Sequence, residues 1–135
     1  MRTIKFRGML TSGEWVYGGY VQTKDEAHCI LSGEIKHYDY HDGKTINALR
    51  FNAVKYKTVG EFTGLKDKNG KEIYEGDITC RRWENGSREN GQIIYENGSF
   101  LWQEIDRGRF VHPIGINTLH SEVVGNIYAN PELLK

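Results

Sequence analysis

The chain has 135 residues, 38% of them hydrophobic and 27% charged, with eighteen basic residues offset by eighteen acidic ones. That is enough sequence for an ordinary domain with its own core, too polar for a membrane protein and too apolar for a disordered one. Zero net charge removes any global electrostatic case for nucleic acid or an anionic membrane, and no apolar run approaches the ~20 residues that span a bilayer.

The first segment, MRTIKFRGML, has basic residues but lacks the ~7–15-residue apolar stretch of a signal peptide. With Ile4 and Phe6 alternating against Thr3, Lys5 and Arg7 it reads as a strand, and the expected location is the cytoplasm. Candidate strands follow at Glu14–Gln22, Ala27–Leu31, Glu34–Tyr40, Thr58–Thr63, Asp77–Trp83, Arg109–Pro113 and Glu122–Tyr128. All are rich in the aromatic and β-branched residues that suit a pleated surface.

Between them fall four Asn-Gly pairs, at 69–70, 85–86, 90–91 and 97–98. Both residue types tolerate the positive φ of a tight hairpin turn. The clearest hairpin runs from Gln92–Glu96 through Asn97-Gly98 into Ser99–Glu104. Val123-Val124-Gly125 and Thr58-Val59-Gly60 place β-branched residues before a glycine, which predicts a bulge or a close backbone approach. A helix over Thr45–Asn52 has thin support. At the C-terminus Asn130 suits an N-cap and Pro131 a first helical position, so Pro131–Leu134 reads as a short helical turn.

Residues 23–56 are the least regular and hold three of the five histidines. They read as an insertion or subdomain within a single domain, 1–135. The fold class expected is all-β and mainly antiparallel. Its form would be a partly open SH3-like barrel over Thr58–Tyr128, completed by the N-terminal strands.

Four residue sets invite a chemical reading. His37-Tyr38-Asp39-Tyr40-His41 suggests metal, with His28 nearby. The run alternates like a strand, however, which sets His37 and His41 ~13 Å apart, too far for one ion. A polar sheet face is the plainer account, and no cofactor is expected. Cys29 or Cys80 would need His112 or His120 beside it to act as a nucleophile, and no local spacing provides that. Glu72, Glu75 and Asp77 could form an acid–base pair. Gly76-Asp77 reads better as a turn opening a strand. Arg81, Arg82, Trp83 and Arg88, with Arg107, Arg109 and Phe110, could track a nucleic-acid backbone and stack bases, but Glu84, Glu89, Glu104 and Asp106 interleave with them.

At three places the chain resembles the YopX-like prophage proteins. These are Ile4-Lys5-Phe6-Arg7-Gly8 with Glu14-Trp15-Val16-Tyr17-Gly18, the long run Thr58–Ile78, and Val124-Gly125-Asn126-Ile127-Tyr128 with Asn130–Leu134 after it. Order and spacing match from end to end. Residues 23–56 lie outside the pattern, and Glu61 stands where it has glutamine. The resemblance implies a small phage or prophage accessory protein with no catalytic residues to carry over. Its motif positions also suit a structural role. Gly60, Gly64, Gly76 and Gly125 fit turns or tight packing, Asp77 fits a turn, Asn126 is a further structural position, and Trp15, Tyr17, Tyr74, Ile78, Ile127 and Tyr128 fit a core. The expected activity is non-catalytic binding to a host or phage protein. Nucleic-acid binding and then a metal-dependent enzyme are the alternatives, and self-association is a way to cover edge strands.

Overall fold

The structure is a computed structural model and describes residues 1–33, 35–39, 44–47, 50–106 and 110–135, with the side chains of 35–39, 44–47 and 116–117 excepted. The chain divides into two compact units, the first Ile4–Val59 and the second Gly60–Lys135 together with Met1–Thr3.

In the first unit, strands β1 (Phe6–Met9), β2 (Trp15–Gln22), β3 (His28–Ser32) and β6 (Arg50–Ala53) form antiparallel pairs in the order β6-β3-β2-β1. A separate hairpin joins β4 (Ile35–Asp39) to β5 (Lys44–Asn47), and a 3-10 turn follows at Tyr56–Thr58. Ile30 is completely buried. The described residues of 23–56 thus carry four strands. Among the described residues of Thr45–Asn52 the expected helix is absent, since 45–47 and 50–52 lie in strands. Thr45, Ile46 and Phe51 are β-branched or aromatic, and cross-strand pairing takes up what little helical preference the segment has.

In the second unit, β7 (Gly60–Lys66) pairs with β8 (Glu72–Tyr74). A five-stranded antiparallel sheet contains β9 (Asp77–Arg82), β10 (Arg88–Glu96), β11 (Ser99–Glu104), β12 (Val111–Pro113) and β13 (Glu122–Asn126), in the order β12-β11-β10-β9-β13. One helical turn, α1 (Ile116–Leu119), and a 3-10 turn, Pro131–Leu134, complete it. The all-β antiparallel class and the C-terminal helical turn are therefore as expected. The sheets stay open and do not close into a barrel. Ile73, Ile93, Trp102 and Val123 form the buried core, with Leu65 and Ile114 against it.

Local chemistry sets the registers. Asn97 and Gly98 have φ of 52° and 80°, the pair of positive values a type I′ turn requires, and this aligns Glu96 with Ser99 and Ile93 with Trp102. The bulge expected before Gly125 is present between Val123 and Gly125. A Cβ on Gly125 would lie 2.5 Å from Asn130 Oδ1, and one on Gly60 2.6 Å from the Glu75 carbonyl oxygen. Gly64 and Gly76 take positive φ, 86° and 89°. Pro131 does open its turn, but Asn130 does not cap it. Its side chain folds back to accept the Asn126 N–H at 3.2 Å, while Asn126 Oδ1 accepts from Tyr128 and Ala129.

Among the aromatic positions, Tyr74 and Ile78 are buried, and Trp15, Ile127 and Tyr128 are half-buried. Tyr17 is a correction, since half of it is in solvent, a position that a ring with a polar tip tolerates. The Arg7 guanidinium lies 4.7 Å from the Trp15 ring centre.

A buried carboxylate ties the second unit together. Asp67 Oδ1 accepts the N–H groups of Asn69 (2.8 Å) and Lys71 (2.9 Å), closing the β7–β8 turn. Its Oδ2 reaches 56 residues along the chain to accept the Val123 N–H at 2.9 Å. Burial pushes this acid up, but the three backbone donors and the Lys71 charge outweigh it and hold the carboxyl below its usual range.

Candidate functional site

The five-stranded sheet assembles one face from residues scattered between Thr79 and His112. The β9–β10 register sets Arg81 across from Glu89 and Thr79 across from Gly91. The hairpin register sets Gly91 across from Glu104 and Ile93 across from Trp102, and β12 then sets His112 across from Trp102. Paired residues share a face, so Thr79, Arg81, Glu89, Gly91, Trp102 and His112 all look the same way.

Trp102 organises that face. Its indole lies over Gly91, where a Cβ would be 1.9 Å from the ring. Crossing β10 in this way, its Nε1–H donates to Thr79 Oγ1 on β9 at 3.0 Å. The ring also packs on His112, with centroids 5.0 Å apart and 30° between planes. Gly91 belongs to the one Asn-Gly pair that is inside a strand instead of at a turn. Its glycine is required by a neighbour's ring and not by a bend.

Beside Trp102 the surface opens into a cleft of about 280 Å³, walled by Trp83, Phe110 and His112, with Arg81 and Glu89 among its polar groups. Thr118 and Ser121 line it too, and their hydroxyls are engaged locally. Thr118 Oγ1 accepts the Gly115 N–H, and Ser121 Oγ donates to the Thr118 carbonyl. The Arg81 guanidinium stacks 3.8 Å from the Trp83 ring centre. Trp83 is 44% exposed and Phe110 55%. A second, shallower depression adjoins it, lined by Arg81, Arg82, Trp83, Glu84, Asn85 and His120.

Of the arginine–aromatic set grouped in sequence, the structure brings Arg81, Trp83 and Phe110 together, and it adds Glu89, Trp102 and His112. Arg82 alternates to the other side of β9, stands across from Arg88 and is exposed. Arg107 and Arg109 lie outside the described residues. Of the added residues, only the placing of Trp102 opposite Ile93 could be read from the Asn97-Gly98 hairpin; Glu89 and His112 need the β9–β10 and β11–β12 pairings as well.

The other candidate sets do not converge. His37 and Asp39 fall in β4 with side chains outside the described set, as does the whole of position 41. His28 Nδ1 is hydrogen-bonded to the Tyr20 hydroxyl, and its ring stacks on Tyr20 and tilts against Tyr56. Among the described residues no three His, Cys, Asp or Glu side chains are grouped as metal ligands. Cys80 is buried on the face of its sheet opposite His112. Asp77 Oδ2 accepts the Tyr74 N–H at 2.8 Å, the turn role its neighbours implied.

An all-β chain with this motif order defines a family. The YopX protein family matches residues 5–135, and the chain belongs to it. It is similar along its whole length to a solved structure, the crystal structure of protein EF1440 from Enterococcus faecalis, with 25% identity, a TM-score of 0.66 and 100% of each chain covered. No curated protein matches the chain. Among the described residues no helix is long and apolar enough to cross a membrane.

Proposed function

We propose that this chain is a phage- or prophage-encoded accessory protein acting in the cytoplasm of a bacterial host. In this reading it is a non-catalytic binding module that engages a host or phage protein through the aromatic cleft of its five-stranded sheet. The observation that carries the reading is the pair of half-exposed rings, Trp83 and Phe110, flanking the cleft with Arg81 stacked on one of them. Leaving large aromatic surface in water forgoes roughly 25 cal/mol per Å² of burial. Exposed tryptophan and arginine around a pocket are also the residue types that dominate contact energies between proteins. The zero net charge of the chain, and the position of Glu89 across from Arg81 on the neighbouring strand, weigh toward a protein partner over a phosphate backbone.

The test is capture of partners from host lysate by the tagged chain, with nuclease present, comparing it with the Trp83→Ala and Phe110→Ala variants. The expected result is a defined protein retained by the parent chain and lost from both variants at unchanged melting temperature. Equal retention by all three overturns the reading. Nucleic-acid binding has one observation in its favour, the Arg81–Arg82–His120 depression next to Trp83. Capture that disappears with nuclease would replace the first reading by this one.

A further inference from the structure

We propose that the cleft is an anchor pocket for one neutral aromatic side chain bearing a hydrogen-bond donor, a tyrosine or tryptophan presented by the partner protein. The inference rests on the binding-module reading above and specifies what that module recognises.

Size is the first argument. At about 280 Å³ the cleft falls at the lower limit of the ~300–1,000 Å³ typical of small-molecule sites, so it suits one ring system and not an extended cofactor. Shape follows from its walls. Trp83, Trp102, Phe110 and His112 come from three stretches of chain and surround the space with ring surface. Planar guests gain from stacked or edge-on contact with such rings beyond the area they bury.

Charge selects among planar or ring-binding guests. Aromatic walls also attract cations, but here the Arg81 guanidinium already covers the Trp83 ring at 3.8 Å, and an ammonium guest would meet it as a like charge. An anionic guest would meet Glu89. Arg81 and Glu89 stand across from each other on neighbouring strands and offset, which leaves a neutral site.

Polarity selects the guest's tip. Thr118 Oγ1 accepts one internal bond and Ser121 Oγ donates its hydrogen to another, so each oxygen keeps a lone pair that can accept. With the Glu89 carboxylate, which can only accept, and the His112 imidazole, they give the lining several groups suited to receive an incoming O–H or N–H. A phenol or an indole supplies that donor at the edge of its ring, whereas phenylalanine and leucine do not.

The test is a titration of the isotope-labelled full chain, followed by NMR, with N-acetyl-tyrosinamide and N-acetyl-tryptophanamide. N-acetyl-leucinamide, N-acetyl-trimethyllysinamide and AMP serve as comparisons. The expected result is saturable shifts of the Trp83 and Trp102 indole N–H signals and of the Phe110 and His112 amides. The two aromatic amides should bind about 2- to 10-fold more tightly than the leucine compound. Phe110→Ala, at an exposed position that leaves the fold intact, should abolish the shifts. No response, or a stronger one to trimethyllysine, leucine or AMP, overturns the proposal. So does a concentration-dependent mass with the same shifts in the absence of any amide, which would mean that a second copy fills the cleft. If the amides fail while Trp83→Ala and Phe110→Ala still lose the captured protein, the anchor assignment falls and the binding-module reading stands.

Discussion

Asp67 shows how much one buried side chain can hold when each of its oxygens is used. Replacing it with alanine strands three backbone N–H groups, those of Asn69, Lys71 and Val123. At ~1–3 kcal/mol for each unsatisfied buried donor, partly relieved by water at the turn, the expected loss is about 2–4 kcal/mol in urea denaturation. Asp67→Asn should recover only part of this. Its amide oxygen can serve Asn69 and Lys71, but the amide nitrogen then points a donor at the Val123 N–H. The pH dependence has a definite sign. The folded carboxyl is held below its ordinary range, so its contribution is complete above the usual aspartate pKa of ~4 and is lost as pH falls through the lower folded value. The parent chain should therefore lose stability toward pH 3 more steeply than Asp67→Asn, measured by thermal melts across pH 3–7. None of this was legible in the sequence. Asp67 sits in a plain turn, Lys66-Asp67-Lys68-Asn69-Gly70, and its distant partner is a backbone group that no residue type reveals.

At the scale of elements, the β9–β10–β11 strands depend on a fit between a missing side chain and a large one. Gly91→Ala puts a Cβ within 1.9 Å of the Trp102 ring, so the indole must swing out of the core or the strands must part. The expected cost is about 2–4 kcal/mol, in the range of core overpacking combined with a lost buried contact. A red shift of tryptophan emission should report the displaced ring. Thr79→Val removes the acceptor of the Trp102 N–H at nearly constant volume and should cost about 1–2 kcal/mol without that displacement. This scale was the most readable in sequence. The hairpin at Asn97-Gly98 declared itself through turn chemistry that acts over two residues. The short strand β8 did not, because Glu72-Ile73-Tyr74 is charged and brief, and only the complete burial of Ile73 makes it a strand. The same limit applies to Thr45–Asn52, where partner strands overrule a weak local preference.

For the whole molecule, the balance of charge is the governing quantity. With eighteen charges of each sign, binding through the cleft should change little between about 50 and 200 mM salt, a range over which a protein making 6–10 phosphate contacts loses ~10³–10⁵ in affinity. Retention of the captured partner across that salt series is the measurement. A steep loss would point to phosphate contacts at Arg81 and Arg82 instead. The open sheets were beyond the reach of the sequence for a related reason. Alternation and turns show that strands exist and which neighbours they take. Whether the last strand meets the first depends on twist and bulges summed over the chain. The cleft was half visible in the same way. Arg81 and Trp83 are neighbours in sequence, while Phe110 and His112 join them only once three strand pairings are in place.

The crossing of Trp102 over Gly91 also bears on how members of this family can differ. Two positions eleven residues apart occupy one volume, so neither is free to vary by itself. Where a relative carries a side chain at the position equivalent to 91, the residue equivalent to 102 must be smaller, and the threonine that receives the indole N–H loses its reason to be there. Substitutions at 79, 91 and 102 should therefore arrive together, as a single inherited change across three strands.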